Sequence, residues 1–208
     1  MSISRPAQTL GKRERTKAAN RDAILKAGRR VFARLGVEAT TVRDIIRETD
    51  LAAGTFYNYF KSKEEIFQAI ADESAKRFRP KLATVRHRAS TLEEYIRAAY
   101  REYFQWLKEE NEDDIRDGAP HAALVGVRVD TPEMHAVFDE IRNDLEAIAK
   151  EARIALSDSE YFTAAAIGIA RELGDHMLTR RPVNVDGATE FATRLLLEGG
   201  ASLAQETN

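Results

Sequence analysis

The stretch TTVRDIIRETDLAAGTFYNYFKSKEEIF, residues 40–67, decides the fold because it holds two short helical patterns separated by a break. The first pattern places Val42, Ile45 and Ile46 on one helical face, and the break follows at residues 50–51. The second pattern covers residues 53–60. Two short helices joined by a tight turn form a helix-turn-helix, whose second helix normally enters the DNA major groove. The stretch therefore predicts a DNA-reading motif.

Charge is distributed unevenly along the chain, although the formal net charge is only -2. Residues 1–63 hold 14 Lys or Arg against 6 Asp or Glu, and the remainder holds 18 against 28. A basic segment followed by an acidic one indicates a polyanion-binding module joined to a different kind of domain. A basic arm that is merely solvated would give the same asymmetry. The adjacent helix-turn-helix favours nucleic acid as the partner.

Composition excludes several other classes of protein. The chain has no cysteine, so it can form neither disulfides nor thiolate metal sites. No apolar run reaches the roughly 18 residues that span a bilayer, and the basic N-terminus lacks the apolar segment of a signal peptide, so we expect a cytoplasmic protein. The histidine spacings match no metal-ligand motif. No catalytic constellation or phosphate loop occurs, so we predict no enzyme activity, no metal and no cofactor.

Helical periodicity extends over the whole chain, and no segment has the pattern of a strand. The predicted fold is all-α, with an N-terminal three-helix helix-turn-helix domain and a larger C-terminal helical bundle for ligand binding and dimerisation. The predicted divisions are a disordered basic arm over residues 1–16, the DNA-binding domain over 17–63, and the effector-binding and dimerisation domain over 64–208. The longer predicted helices cover about residues 17–35, 62–78, 92–109, 132–152, 159–180 and 185–203.

Local signals set the predicted ends of these helices. Thr41 with Asp44 resembles a capping box, and so does Ser62 with Glu65. Thr131 followed by proline is a strong helix start. Pro80 is expected to end the fourth helix. Residues 110–130 are predicted to be irregular, with one short helix allowed.

Residues 20–67 resemble the TetR/AcrR family of bacterial transcriptional regulators. The resemblance rests on RDAILKAGRRVFARLGVEATTVRDI, then GTFYNYF, then KSKEEIF, in the family's order and spacing. One departure is the turn, where Asp50-Leu51-Ala52 replaces the usual Gly-Val-Ser. Ala52 lacks the hydroxyl that would cap the recognition helix, which costs about 1 kcal/mol in a typical helix.

The resemblance implies a role for each matched residue of the reading motif. Thr41 and Tyr57 would bind phosphates through their hydroxyls, and Lys63 would do so through its ammonium. Tyr59 would lie near the backbone or sugar, and Arg43 would add a phosphate or minor-groove contact. The residues that would approach base edges are Ala53, Gly54 and Thr55, and those that would anchor the helix in the core are Phe56 and Phe60.

Each of these roles has a plainer alternative. Tyr57 or Tyr59 could pack against the first helix. Lys63 could be a solvated first-turn residue. Arg43 could pair with Asp44 or Glu48.

The C-terminal region is predicted to provide a dimer interface and an effector pocket. The small or apolar residues of the last two long helices that we predict to pair two copies are Ala164, Ala165, Gly168, Leu195, Leu196, Gly199 and Leu203. The predicted pocket residues are Tyr100, Tyr103, Phe104, Leu107, Met134, Phe138, Ile141, Phe162 and Arg171. Both sets could instead belong to the core of one subunit, and His121, His135 and His176 are further polar candidates.

These features together predict a ligand-responsive transcriptional regulator. Resemblance favours a repressor that binds a palindromic operator in double-stranded DNA as a homodimer and is released by a small, hydrophobic effector of unknown identity. A helical protein-binding adaptor and a TetR-like activator are the alternatives.

Overall fold

The computed structural model describes residues 11–116, 131–154, 156 and 158–205, without the side chains of 113, 114 and 200–205. This part of the chain is helical and contains no strand, which confirms the all-α prediction. His121 and most of the segment predicted to be irregular lie outside it. The helices are α1 Lys12–Leu35, α2 Val42–Arg47, α3 Ala53–Phe56, α4 Lys63–Arg88, α5 Leu92–Glu110, α6 Glu112–Arg116, α7 Pro132–Ala152, α8 Ser159–Thr179 and α9 Val185–Gln205.

The chain divides into two compact units, Met1–Ala69 and Ile70–Asn208. The predicted domain boundary lies a few residues earlier, at residues 63–64. Helix α4 contributes residues to both units.

Helix α1 begins at Lys12, within the arm that was predicted to be disordered through residue 16. The Arg15 N–H donates to the Gly11 carbonyl at 3.0 Å, and the Thr16 hydroxyl donates to the Lys12 carbonyl at 3.0 Å. Glu14 lies in the first turn, where a negative side chain is favourable. The helix ends at Gly36, whose positive φ of 76° suits a residue without a Cβ.

The core of the first unit joins α1, α2, α3 and the first turn of α4. From α1 it contains Ile24, Leu25, Val31 and Phe32, and from the other helices Ile45, Phe56, Ile66 and Phe67. The rings of Phe32 and Phe67 meet edge to face with centroids 5.5 Å apart. These contacts bring the three predicted helices of the DNA-binding domain together.

Two predicted caps form in this unit, the second with a change of partner. Thr41 and Asp44 make the full capping box at the start of α2. At the start of α4, the Ser62 hydroxyl accepts from the Glu65 N–H at 3.2 Å. The Glu65 carboxylate, however, accepts from the N–H of Lys61 at 2.8 Å, one residue before the position that the motif predicts.

The prediction that Pro80 ends the fourth helix is wrong, because α4 continues through Pro80 to Arg88. Proline removes one backbone hydrogen bond and crowds the preceding turn. Packing compensates, since Phe78 before the proline and Leu82 and Val85 after it are all buried. The Pro80 side chain is exposed and lies on the solvent side of the helix.

The second unit is built around α5, which packs most extensively against α9. The buried cluster takes Tyr95, Tyr100 and Phe104 from α5 and adds residues from α4, α7, α8 and α9. Helix α7 begins as predicted, with the Thr131 side chain accepting from the Met134 N–H and proline in the first turn. Helix α8 begins after Asp158, which caps it, and ends just before Arg181-Pro182.

Candidate nucleic-acid interface

Helix α3 has one buried face and one open face. Phe56 is completely buried and Phe60, in the turn that follows, is nearly so, as expected for anchors of this helix. Ala53, Gly54 and Tyr57 are exposed, and Thr55 is half-buried. The aromatic side chains thus hold α3 in the unit, while its other side faces solvent.

Gly54 leaves the first turn of this open face without a side chain. A Cβ built at Gly54 would have no other atom within 4 Å. The space in front of the helix is therefore free, and the backbone here can approach a large partner closely. Ala52 precedes the helix and makes no side-chain cap, as its lack of a hydroxyl predicts.

The Thr41 hydroxyl is engaged within its own turn. It donates to a carboxylate oxygen of Asp44 at 2.5 Å and accepts from the Asp44 N–H at 3.3 Å. The hydrogen bond from the Thr41 hydroxyl lowers the pKa of Asp44 below its ordinary value, and the bond from the Thr41 N–H contributes a smaller part of this effect. A phosphate contact by this hydroxyl would have to replace the bond to Asp44.

Arg43 is exposed, and the structure does not support the alternative that it pairs with Asp44 or Glu48. Asp44 instead lies 4.0 Å from Arg47, and Glu48 lies 3.3 Å from Arg30. Within the described ranges, the Arg43 guanidinium has no ion pair. Exposed basic residues also line the first turns of α1, at Lys12, Arg13, Arg15 and Lys17.

The two tyrosines that follow α3 have different surroundings. Tyr57 is 51% exposed, and its ring rests edge to face on Phe56 with centroids 5.8 Å apart. Tyr59 is half-buried, and its hydroxyl accepts a hydrogen bond from the Asn20 amide at 3.2 Å. Tyr57 is thus available to a partner, whereas Tyr59 makes the contact with α1 that the plainer alternative describes.

The Lys63 ammonium bonds to backbone. It donates to the carbonyl oxygens of Val37 at 2.9 Å and Glu38 at 2.8 Å, in the segment between α1 and α2. Lys61, two residues earlier, is exposed. Sequence reasoning assigned Lys63 to a phosphate and did not consider Lys61.

Residues 24–70, a range that contains α2 and α3, match the family described as bacterial regulatory proteins, tetR family. The helix-turn-helix part of the chain is therefore similar to the TetR family. Among curated relatives, it is 34% identical over 94 residues to the HTH-type transcriptional repressor ComR of Escherichia coli (strain K12). That match spans 44% of this chain and 42% of ComR, so the chain covers less than half of this relative.

Solved structures match the chain over more of its length. The fatty acid degradation regulator FadR from Bacillus halodurans has a TM-score of 0.64 at 20% identity and covers 92% of this chain and 98% of its own. The regulator FadR from Bacillus subtilis, in complex with stearoyl-CoA, has a TM-score of 0.63 at 18% identity, covering 86% and 98%. At this identity the likeness shows a shared fold.

The predicted pocket residues fall into two groups. Tyr100 and Phe104 are core residues, and the Tyr100 hydroxyl donates to the Ala166 carbonyl at 3.1 Å. Leu107 packs against Gly174, where an added Cβ would come within 2.5 Å of it. The half-buried members are Leu107 itself, Tyr103, Met134, Phe138, Ile141, Phe162 and Arg171.

Sequence reasoning missed two aromatic neighbours of Tyr103. Its ring meets Phe78 edge to face at 5.5 Å and lies 5.9 Å from Trp106. Trp106 follows Tyr103 by three residues on α5, a spacing that signals a shared helix face. Phe78 could not be found this way, because it lies on α4, close to the proline that was expected to end that helix.

Two grooves in the second unit are lined by other residues. One, of about 550 Å³, lies where α7 turns into α8 and is lined by residues that include Ala149, Ile154 and Ser159. The other, of about 490 Å³, lies between α4 and α5 and includes Lys81, Val85 and Arg101. Neither lining contains a predicted pocket residue.

Most residues of the predicted dimer surface are accessible in the single chain. Ala164, Ala165, Leu195 and Gly199 are exposed, and a Cβ added at Gly168 would have no atom within 4 Å. The assignment of Leu196 to this surface is wrong, because Leu196 is 5% exposed and belongs to the core of the second unit. The Leu203 side chain lies outside the described part.

Sequence reasoning also missed two aromatic residues on the same helices, Tyr161, which is 79% exposed, and Phe191, which is 58% exposed. Large exposed aromatics on an otherwise apolar surface indicate an interaction site.

Within the part of the chain that the structure describes, no group of three or more acidic or histidine side chains could hold a metal ion. None of the helices described is long and apolar enough to cross a membrane.

Proposed function

We propose that the protein is a transcriptional repressor of the TetR type that binds a palindromic operator as a homodimer and is released by a small hydrophobic effector. The observation that carries the proposal is the two-sided geometry of α3. Phe56 and Phe60 fix the helix from behind, while Ala53, Gly54 and Tyr57 face solvent. Arg43 on α2 and Lys61, five residues after α3, are both exposed and positively charged. An exposed helix of this kind flanked by cations suits the major groove and its phosphates.

Dimerisation follows from the small size of α3. One short helix contacts too few base pairs for specificity, and helix-turn-helix proteins usually read two half-sites about one helical turn apart. The exposed apolar surface of α8 and α9 supports pairing of two copies, because Gly168 and Gly199 allow close approach and Tyr161, Phe191 and Leu195 supply apolar area.

The hydrophobic character of the proposed effector rests on the buried Phe78 and on half-buried aromatic residues of the second unit. Tyr103, Trp106 and Phe78 form a continuous cluster of rings. The stearoyl-CoA held by the Bacillus subtilis FadR structure supports an acyl or similarly apolar ligand. An effector that binds more tightly to a conformation with low DNA affinity weakens operator binding. The free energy of operator binding changes by the difference between the effector's binding free energies for the two conformations, typically about 1–3 kcal/mol.

Gly54→Leu tests the assignment of α3 as the reading helix. The Cβ of the new side chain meets no atom of the fold and the position is exposed, so the protein should stay folded, but the leucine would project into the groove. We expect at least a tenfold loss of affinity for an operator selected from random duplexes, equivalent to about 1.4 kcal/mol. The matched control is Asn143→Leu at an exposed position of α7, which should bind like the wild type. Equal affinity for the wild type and Gly54→Leu would contradict the assignment.

A further inference from the structure

We propose that Lys63 is a positioning residue that fixes the reading motif, and that Lys61 is the lysine that contacts the DNA backbone at this edge of α3. This inference rests on the proposed DNA-binding function. It divides between two lysines the role that sequence reasoning gave to Lys63 alone.

The contacts of Lys63 use most of its hydrogen-bonding capacity. An ammonium group has three N–H donors, and two of them go to the carbonyls of Val37 and Glu38. Hydrogen bonds from a charged donor are stronger than neutral ones. To reach a phosphate, the ammonium would have to leave two short bonds of this kind.

The acceptors of Lys63 lie where the chain passes from α1 to α2. Val37 is buried, so its carbonyl would lose a partner in a place where water replaces it poorly. The same link is held by the buried Thr40, whose hydroxyl donates to the Gly36 carbonyl at 2.7 Å. Lys63 thus ties the first residue of α4 to the segment that leads into α2.

Two further contacts hold the end of the reading segment from the side of α1. Asn20 donates to the Tyr59 hydroxyl at 3.2 Å, and the Arg21 guanidinium lies 5.6 Å from the centroid of the Phe60 ring. Together with Lys63, these contacts fix the chain on both sides of residues 61 and 62. The position of α3 relative to α1 and α2 therefore depends on Lys63 within this unit.

Lys61 has the opposite surroundings. It is exposed, and in the described residues its ammonium makes no hydrogen bond and no ion pair. Its backbone is fixed, because its N–H donates to the Glu65 carboxylate at 2.8 Å. A free ammonium on an anchored backbone beside α3 suits a phosphate contact, which requires charge and reach but no base recognition.

Salt dependence separates the two roles. The slope of log affinity against log salt is negative, and each phosphate contact adds about 0.9 to its magnitude. Losing one contact per subunit therefore reduces the magnitude of a dimer's slope by about 2. We expect Lys61→Gln to reduce the magnitude of the slope by that amount. It should weaken binding to the operator and to a scrambled duplex equally. We expect Lys63→Gln to leave the slope unchanged and to lower the ratio of operator to scrambled affinity by about tenfold, because the reading helix is displaced.

Acetylation of the wild-type protein gives a second measurement that does not depend on a variant folding. With limiting acetic anhydride and mass spectrometry, Lys63 should react slowly with or without operator, since its ammonium is held by carbonyls. Lys61 should react quickly in the free protein and be protected by the operator.

The proposal is overturned if Lys63→Gln lowers the salt slope as much as Lys61→Gln does and keeps the specificity ratio. It is also overturned if Lys63 reacts quickly in the free protein and the operator protects it. Failure of the DNA-binding function itself is recognisable without any variant, because the wild type would then show no preference for any duplex.

Discussion

At the residue scale, the surroundings of a side chain determine whether it can serve a partner. Tyr57 and Tyr59 are the same residue type two positions apart, yet Tyr57 is half exposed and Tyr59 holds Asn20. The resemblance to a family assigns both to the DNA side of the motif. The structure favours Tyr57 as the contact and gives Tyr59 a role in joining the end of the reading segment to α1.

Tyr57→Phe should weaken operator binding about tenfold, which corresponds to one hydrogen bond to a charged acceptor worth about 1.5 kcal/mol. The salt slope should not change, because no charge is removed. Tyr59→Phe is the matched control. It should lower the thermal unfolding midpoint, because it removes the hydrogen bond from Asn20, and it should weaken operator binding much less than Tyr57→Phe does. Unchanged affinity in Tyr57→Phe would show that this hydroxyl contacts no phosphate.

Asp44→Asn should change the pH dependence of the free energy of unfolding. The hydrogen bonds from Thr41 hold the folded-state pKa of Asp44 below its ordinary value, so the unfolded chain binds the proton more tightly. The resulting stabilisation is present above the unfolded-state pKa of about 3.9 and is lost as the pH falls through the lower folded-state pKa. Urea unfolding between pH 2 and 6 should therefore show a smaller acid loss in Asp44→Asn than in the wild type. The exposed Asp50→Asn serves as control, and equal acid losses in the wild type and Asp44→Asn would refute the linkage.

At the element scale, the starts of α2 and α7 could be predicted from sequence because their signals are local. The Thr41 and Thr131 caps depend on residues within one turn, and both form. The end of α4 could not be predicted, because buried residues on both sides of Pro80 compensate for the local cost of proline. The burial of Leu196 could not be predicted from local sequence either, because its position in an apolar pattern fits a dimer surface and a core equally well. Lys63 illustrates it again, since its acceptors lie about 25 residues earlier in the chain.

Gly174→Ala should destabilise the second unit at the crossing of α5 and α8. The new Cβ would lie 2.5 Å from a Leu107 methyl and 3.4 Å from the Tyr103 ring, so the Leu107 side chain would have to move within a packed region. We expect a loss of about 1–3 kcal/mol, the usual cost of overpacking, measured by urea unfolding. Gly168→Ala on the same helix is the matched control. It meets no atom and should be neutral or stabilising by up to about 1 kcal/mol, as expected for alanine in place of glycine in a helix. Equal midpoints for the two variants would refute close packing at Gly174.

At the scale of the whole molecule, the proposed function requires two copies. The last two helices expose Tyr161, Phe191 and Leu195, and several large apolar side chains exposed on neighbouring helices are typical of an interaction surface. A surface of this kind buried between two copies would bring two reading motifs into one assembly.

Leu195→Glu should shift the protein toward the monomer and reduce operator affinity together, because a charge without a partner is costly in an apolar interface. Sedimentation velocity would measure the first effect and fluorescence anisotropy the second. Asn143→Glu, which adds the same charge at an exposed position of α7, should change neither. A dimer that survives Leu195→Glu would place the interface elsewhere.

Selection of bound sequences from a random duplex pool, followed by a salt titration on the selected sequence, tests the central claim most directly. The account predicts a palindrome whose half-sites lie about 10 base pairs apart or a multiple of that, as expected for a dimeric helix-turn-helix protein. It also predicts a slope of log affinity against log salt of about -5 or steeper, since two subunits should contact six or more phosphates. No enrichment at low salt, or a selected duplex bound with little dependence on salt, would contradict the claim that α3 reads DNA.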